Sequence, residues 1–189
     1  MRQLAIGLAL LLAAAGCDVA DQGGGGAVLR TAALAGGSVV VTPPPGYCID
    51  ASSLSARDGN GFALIGSCAS LTGEATGVFV EPAIITLSLS QAVGDDLRTD
   101  STAFQTALGR GRILRAINSD DLSLLQVEGG ARVPPSAAQT HWRALMQING
   151  QVVGLALYGT ADGNMTGDQG MRLLMEIAQA IRRDSPAVE

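Results

Sequence analysis

The chain contains no lysine, and all twelve of its basic residues are arginine. This absence excludes mechanisms that need a lysine amine, such as Schiff-base catalysis, a Walker phosphate-binding loop or a Ser-Lys dyad. Aromatic residues make up only 3 % of the chain, which argues against stacking platforms for bases or sugars. Because the net charge of −5 would repel a phosphate backbone, we expect no nucleic-acid partner.

Histidine and cysteine are also scarce, with one and three residues respectively. A metal site needs several such ligands, so we expect no metal ion and no other cofactor. His141 is the sole candidate imidazole base, and neither a G-x-S-x-G nor a C-x-x-C motif accompanies it. We therefore expect an exposed or structurally bonded histidine, and the sequence indicates no catalytic residue.

The first seventeen residues have the pattern of an export signal. Arg2 supplies a positive charge, and the apolar run Leu4–Ala15 is shorter than the roughly 20 residues that span a bilayer. Ala14-Ala15-Gly16-Cys17 follows directly and resembles the lipobox of bacterial lipoprotein precursors, although the position of Ala14 is usually leucine. The resemblance implies cleavage before Cys17 and lipidation of its thiol. Secretion after cleavage at an A-x-A site, and an uncleaved anchor, are the alternatives.

The lipobox resemblance sets the expected organisation and location. Residues 1–16 form the signal peptide, 17–37 the lipidated N-terminus and glycine-rich tether, 38–184 a single domain and 185–189 a tail. The membrane, reached through the N-terminal lipid, and an unknown envelope protein are the expected partners. The domain would lie in the periplasm, and Asp18 slightly favours the inner membrane over the outer.

Removing Cys17 from the cysteine count leaves two residues, Cys48 and Cys68. Both lie in segments that read as extended, and an oxidising compartment favours their pairing. We therefore predict a disulfide between them. Two buried free thiols are the alternative.

The body of the chain alternates between strand and turn patterns. Pro43-Pro44-Pro45 should end a strand over Ser38–Thr42. Turn residues 58–61 should connect a hairpin whose return strand is Phe62–Ala69. Residues 83–90 alternate, with Ile85, Leu87 and Leu89 on one face, and residues 121–130 suggest another strand ending in a glycine turn.

Asn149-Gly150 gives the clearest local signal, because this dipeptide favours a type I′ hairpin turn. A two-residue turn pairs Ile148 with Gln151 and Trp142 with Leu157. This register predicts one core face, formed by Trp142, Met146, Ile148, Val153, Leu155 and Leu157. The opposite face carries His141, Arg143, Gln147 and Tyr158.

Two helices are expected, a short one over Ser101–Leu108 and a final one over Gly167–Arg183. Thr166 and Gln169 have capping-box spacing at the start of the final helix. Its predicted apolar stripe consists of Met171, Leu174, Ile177, Ala178 and Ile181. The expected class is α+β, an antiparallel sheet with the C-terminal helix and the shorter mid-chain helix packed on one face. This element order resembles the Mog1/PsbP-like domains, with no matched motif.

Two polar segments are candidate binding sites. Arg110, Arg112 and Arg115 could contact an anion or an acidic partner, although such a group is commonly a solvated face. Asp162, Asn164, Thr166, Gly167 and Asp168 follow the spacing of a calcium-binding EF-hand loop. The terminal glutamate is replaced by Leu173, so a turn with a helix cap is the favoured interpretation.

The leading functional hypothesis is a cell-envelope lipoprotein with a non-catalytic binding or accessory domain. The first alternative is a carrier or sensor of a small apolar ligand, bound between the sheet and the last helix. Its pocket would be lined by Met146, Leu155, Met171 and Leu174, and a close-packed core there would count against it. The second alternative is an enzyme of unrecognised chemistry, which needs polar residues, His141 among them, to converge in one cleft.

Overall fold

The strands and helices are those of a computed structural model that describes residues 26–57, 59–75, 77–92, 109–119, 121–130 and 133–187. The strands in this part are β1 (Val28–Leu29), β2 (Ala32–Leu34), β3 (Val39–Val41), β4 (Tyr47–Asp50), β5 (Ser55–Arg57), β6 (Asn60–Ser67), β7 (Ala83–Gln91), β8 (Arg112–Asn118), β9 (Leu122–Glu128), β10 (Thr140–Ile148) and β11 (Gln151–Gly159). The helices are α1 (Cys68–Thr72) and α2 (Asp168–Asp184). The class is α+β, as predicted. The helix expected over Ser101–Leu108 lies outside the described residues.

One large antiparallel sheet organises the molecule. Its strand order is β1-β4-β6-β7-β11-β10-β9-β8, and β5 pairs with β6 beside this path. A separate ribbon pairs β2 with β3. β1 and β8 therefore lie at opposite edges of the large sheet.

The β10–β11 hairpin has the register that the sequence predicts. Ile148 pairs with Gln151 and Trp142 with Leu157. Asn149 and Gly150 have φ angles of 51° and 71°, as a type I′ turn requires at both positions. The predicted core face is confirmed, since five of its six residues are buried and Ile148 packs partly buried against the same core.

The main core lies on one face of the large sheet, where α2 and the β2–β3 ribbon cover it. The alternation in β7 buries Ile85, Leu87 and Leu89 on this face, as expected. Leu174, Ile177, Ala178 and Ile181 of α2 are buried against it, and Met171 is partly buried. The side chain of Ser185 then accepts a hydrogen bond from Val40 of β3 (2.9 Å), which fastens the end of the helix to the ribbon.

Two boundaries differ from the sequence-based expectation. β6 ends at Ser67, whose hydroxyl accepts a hydrogen bond from Ser70 N–H and caps α1, so Cys68 and Ala69 are helical rather than extended. The fold also starts earlier than residue 38, because β1 and β2 lie within the segment predicted as tether. β1 is part of the large sheet through the pairing of Val28 with Asp50.

The start of α2 also differs from the prediction. Gly167 is the N-cap, with extended backbone angles and no side-chain hydrogen bond, so the capping box of Thr166 and Gln169 does not form. Thr166 belongs instead to a 3-10 turn over Asn164–Thr166. Within the described ranges, neither helix has the length and hydropathy needed to cross a membrane.

Candidate functional site

The predicted lipidation residue, Cys17, lies outside the described residues. The described chain begins at Gly26, whose backbone N–H donates to the carbonyl oxygen of Leu71 in α1 (3.2 Å). The first described residue therefore lies beside α1.

The two other cysteines are brought together in the structure. The Sγ atoms of Cys48 in β4 and Cys68 at the start of α1 lie 2.07 Å apart, which is bonding distance. Both residues are buried. The backbone N–H of Cys68 also donates to the carbonyl oxygen of Gly46 (2.9 Å), so α1 is held against the segment before β4. The arrangement agrees with the predicted pair rather than with two free thiols.

His141 is structurally bonded on the sheet face opposite the main core. Its Nδ1 lies 3.1 Å from the carbonyl oxygen of Gln139, and Arg143 Nε donates to its Nε2 (3.0 Å). Its ring stacks on Tyr158 with the centroids 4.9 Å apart, and His141 is fully buried. Burial, reinforced by the charge of Arg143, lowers the pKa of His141, although the bond to Gln139 opposes this shift. Both ring nitrogens are thus occupied, and the neutral ring has no free position for acid-base work.

The three candidate arginines do not form a shared anion site. Arg112 lies opposite Glu128 of β9, and Arg115 lies opposite Gln126. A β-bulge between Ile113 and Arg115 accounts for the extra residue on β8. Arg112 pairs with Glu128 through its guanidinium group (Nε to Oε2, 3.1 Å).

Arg115 is also paired, in this case with the start of α2. It donates to Asp168 (2.7 Å) and lies over the indole ring of Trp142, 5.4 Å from the ring centroid. The hydrogen bond and positive charge of Arg115 lower the pKa of Asp168. Arg110 is exposed in the turn before β8. The partners of Arg112 and Arg115 are thus protein carboxylates, which accounts for two of the three candidate arginines.

The loop with calcium-like spacing fastens α2 to the sheet. The backbone N–H of Asn164 donates to the carboxylate of Glu81, and Asn164 Nδ2 donates to the same group (3.3 Å). The carbonyl oxygen of Thr166 accepts from the indole of Trp142 (3.0 Å) and the amide of Gln126 (2.8 Å). Among the described residues, no cluster of three or more histidine, cysteine or acidic side chains could hold a metal ion.

A small cleft lies where the β8–β9 turn meets the C-terminal half of α2. Its volume is about 230 Å³ and it is lined by Ser119, Asp121, Leu122, Met175, Ala178, Gln179 and Arg182. The rim is held by Arg182, which forms an ion pair with the Asp121 carboxylate and donates to the Asp121 carbonyl oxygen (3.0 Å). Ser119 donates to the same carboxylate (3.1 Å). The cleft thus has a fixed polar rim over an apolar floor.

The size of the cleft limits what it can bind. Ligand pockets commonly measure about 300–1,000 Å³. A cleft of about 230 Å³ suits one side chain of a partner protein better than a larger organic ligand. His141 is absent from its lining, so the convergence that the enzyme hypothesis requires does not occur there.

The sequence did not predict this cleft. Met175, Ala178 and Arg182 follow helical spacing and could have marked it, but nothing local indicates that the β8–β9 turn meets them. The pocket predicted between sheet and helix is instead part of the core, where Met146, Leu155 and Leu174 are at most 3 % exposed.

Comparisons with known proteins place the chain in no family. No family model and no curated protein matches it. The chain is similar to a solved structure of a mutant form of the protein Mog1, with 13 % sequence identity and a TM-score of 0.46. The match covers 82 % of this chain and 93 % of that one.

Proposed function

We propose that the protein is a cell-envelope lipoprotein, anchored through lipid on Cys17, whose domain binds another envelope component without catalysing a reaction. The domain would lie in the periplasm, and Asp18 favours the inner membrane. The observation that carries the proposal is the pairing of Cys48 with Cys68 at bonding distance. If Cys48 and Cys68 bond each other, Cys17 is the third cysteine of the chain and has no disulfide partner within it. Cys17 follows the apolar run that ends at Ala15.

The disulfide also supports export. Disulfides persist in oxidising compartments such as the periplasm and are rare in reducing ones. Two acyl chains hold a protein stably on a bilayer, which fits a lipobox followed by a glycine-rich segment.

Mass spectrometry of the mature N-terminus tests the anchor. We expect the membrane-bound protein to begin at Cys17 and to carry the added mass of its acyl groups. A Cys17→Ala variant should remain as an unprocessed precursor. An unmodified mature chain that begins at Gly16 would contradict the proposal.

The cleft is the proposed contact with the envelope partner. Gln179 lines it, whereas Glu176 of the same helix does not, and both are exposed. A photoreactive amino acid at position 179 of the membrane-attached protein should give a discrete cross-linked product, and the same group at position 176 should not. Equal products from both positions, or none from either, would contradict this assignment.

The carrier alternative receives less support. It requires an internal pocket between the sheet and α2, where Met146, Leu155 and Leu174 are buried in the core and Met171 packs against them partly buried. The binding-domain proposal needs only a surface cleft, which the structure contains.

A further inference from the structure

The segment between α1 and β7 projects an apolar tip into solvent. We name residues 77–82 the Phe79 loop. Phe79 is 92 % exposed and its neighbour Val78 is 48 % exposed. The chain contains only three phenylalanines, and one of them is this exposed residue. Single exposed apolar residues are common on protein surfaces, so the exposure of Phe79 alone does not indicate a binding role. The contacts around the loop are needed to assign one.

The residues around Phe79 are fixed. Gly46, with a φ of +92°, lies against the loop so closely that a Cβ atom there would be 2.4 Å from Val80 Cγ1 and 3.2 Å from Val78 Cγ1. The hydroxyl of Tyr47 donates to the carbonyl oxygen of Glu81 (2.7 Å). Burial and the charge of Glu81 raise the pKa of Tyr47 to about 12, so the hydroxyl keeps its proton even where a free tyrosine would ionise. The loop is thus a packed platform that presents Phe79 outward.

Gly26, the first described residue, is connected to the same part of the domain. Gly46 contacts the Phe79 loop and also accepts a hydrogen bond from Cys68, the first residue of α1. Leu71 of α1 accepts the hydrogen bond from Gly26. Gly26 is therefore bonded to α1 directly, and the Phe79 loop is connected to α1 through Gly46.

The length of chain before Gly26 limits how far this end can be from a lipid at Cys17. Nine peptide units separate the two residues, and a fully extended chain of that length spans at most about 32 Å. A bilayer that holds the acyl chains on Cys17 is therefore within reach of the end that carries Phe79.

We propose that the Phe79 loop contacts the bilayer surface, with Phe79 inserted among the lipid headgroups and Val78 beside it. This inference rests on the proposed lipidation of Cys17. Glu81 gives the loop itself a negative charge, and Arg30 and Glu74, which follow β1 and α1, are exposed and opposite in charge. The loop contains no positive charge that could attract anionic headgroups, so the contact depends on apolar burial. Vesicles of zwitterionic phosphatidylcholine should therefore support it, with little sensitivity to salt.

Fluorescence quenching tests the contact. The acylated mature protein is reconstituted into phosphatidylcholine vesicles with and without bromine on the acyl chains, as wild type and as F79W. Trp142 is fully buried and supplies a constant background, which the wild type measures. The control is I113W, because Ile113 is 38 % exposed in β8, at the sheet edge opposite β1.

The outcomes separate the loop contact from the anchor. Loss of the extra F79W emission in brominated vesicles, with the I113W emission unchanged, supports the contact. Equal emission in both kinds of vesicle overturns it, and protection from aqueous iodide without lipid quenching would indicate a protein occupant and also overturns it. The mass of the N-terminal peptide is measured on the same sample. A missing acyl group overturns the proposed function and this inference together, whereas an acylated protein with an unquenched F79W overturns the inference alone.

Discussion

Gly170 shows how one missing side chain permits a tertiary contact. It lies in the first turn of α2, where a Cβ atom would be 1.9 Å from the carbonyl oxygen of Met165 and 3.1 Å from Leu157 Cδ2. In an exposed helix, alanine would be more stable than glycine by about 1 kcal/mol. Here we expect Gly170→Ala to lower the free energy of unfolding by about 1–3 kcal/mol, because the backbone must move.

Urea denaturation measures this effect, and the neighbouring residue supplies its control. Gln169 is exposed one position earlier in the same turn. Gln169→Ala should leave stability unchanged or slightly raised. If Gly170→Ala is as stable as the wild type, the close approach of α2 to Met165 is wrong.

His141 predicts a pH dependence of stability with a defined sign. Burial holds its pKa below the ordinary value of 6.5, so above pH 6.5 both folded and unfolded chains contain neutral histidine. As the pH falls below 6.5, the unfolded chain binds a proton first and the free energy of unfolding decreases. The loss continues until the folded protein is also protonated.

This histidine is the only one in the chain, so its ring protons can be followed by NMR without overlap from another imidazole. We expect a titration midpoint below 6.5, and a weaker dependence of stability on pH between 7.5 and 5.5 in His141→Gln. A midpoint at or above 6.5 would show that the ring is neither buried nor fixed by Arg143.

At the scale of elements, the β-sheet positions α2 through hydrogen bonds to the turn before it. The indole N–H of Trp142 donates to Thr166 (3.0 Å) and Gly167 (2.8 Å), and Gln126 also donates to Thr166. Trp142→Phe retains a ring but removes the donor, so we expect a loss of about 1–3 kcal/mol in thermal or urea unfolding monitored by circular dichroism.

Gln126→Met is the matched control for this contact. It removes one of the two donors to Thr166 and leaves the indole bonds intact, so its effect should be the smaller. The reverse order would show that the indole does not carry the attachment of α2 to the sheet.

Local patterns predicted the elements whose formation depends on neighbouring residues. Asn149-Gly150 fixes the β10–β11 register because both positions adopt positive φ, and the spacing of Leu174, Ile177 and Ile181 fixes the buried side of α2. β1 and β2 were missed because they are two and three residues long and lie beside glycines. These short segments are strands only because they pair with other strands, β1 with the distant β4 and β2 with β3.

The candidate sites could be predicted less well, since they depend on distant contacts. Arg112 and Arg115 are close in sequence, but their ion pairs with Glu128 and Asp168 are contacts between distant parts of the chain. The sequence identified His141 as a sole imidazole, yet its bonds depend on the pairing of β10 with its neighbours. The exposure of Phe79 likewise follows from the fixed loop around it, and no local pattern indicates it.

At the scale of the whole molecule, the cysteine pair joins the sheet to α1, the helix that bonds the first described residue. Cys48 belongs to β4, and Cys68 begins α1, whose Leu71 binds Gly26. Closing a loop with a sequence separation of 20 stabilises the folded state by about 3 kcal/mol in the chain-entropy model. We therefore expect reductant to lower the urea midpoint of the wild type by an amount that corresponds to this value.

A double variant distinguishes the disulfide from other effects of the reductant. Cys48→Ala with Cys68→Ala should have a low urea midpoint that reductant leaves unchanged, whereas Cys17→Ala should respond to reductant as the wild type does. Non-reducing peptide mapping should recover the two cysteines in one linked fragment. Free thiols at both positions in the exported protein, with no effect of reductant on the wild type, would contradict the pairing. Cys17 would then no longer be distinguished from the other two cysteines by their pairing, and the cysteine argument for the lipid anchor would not hold.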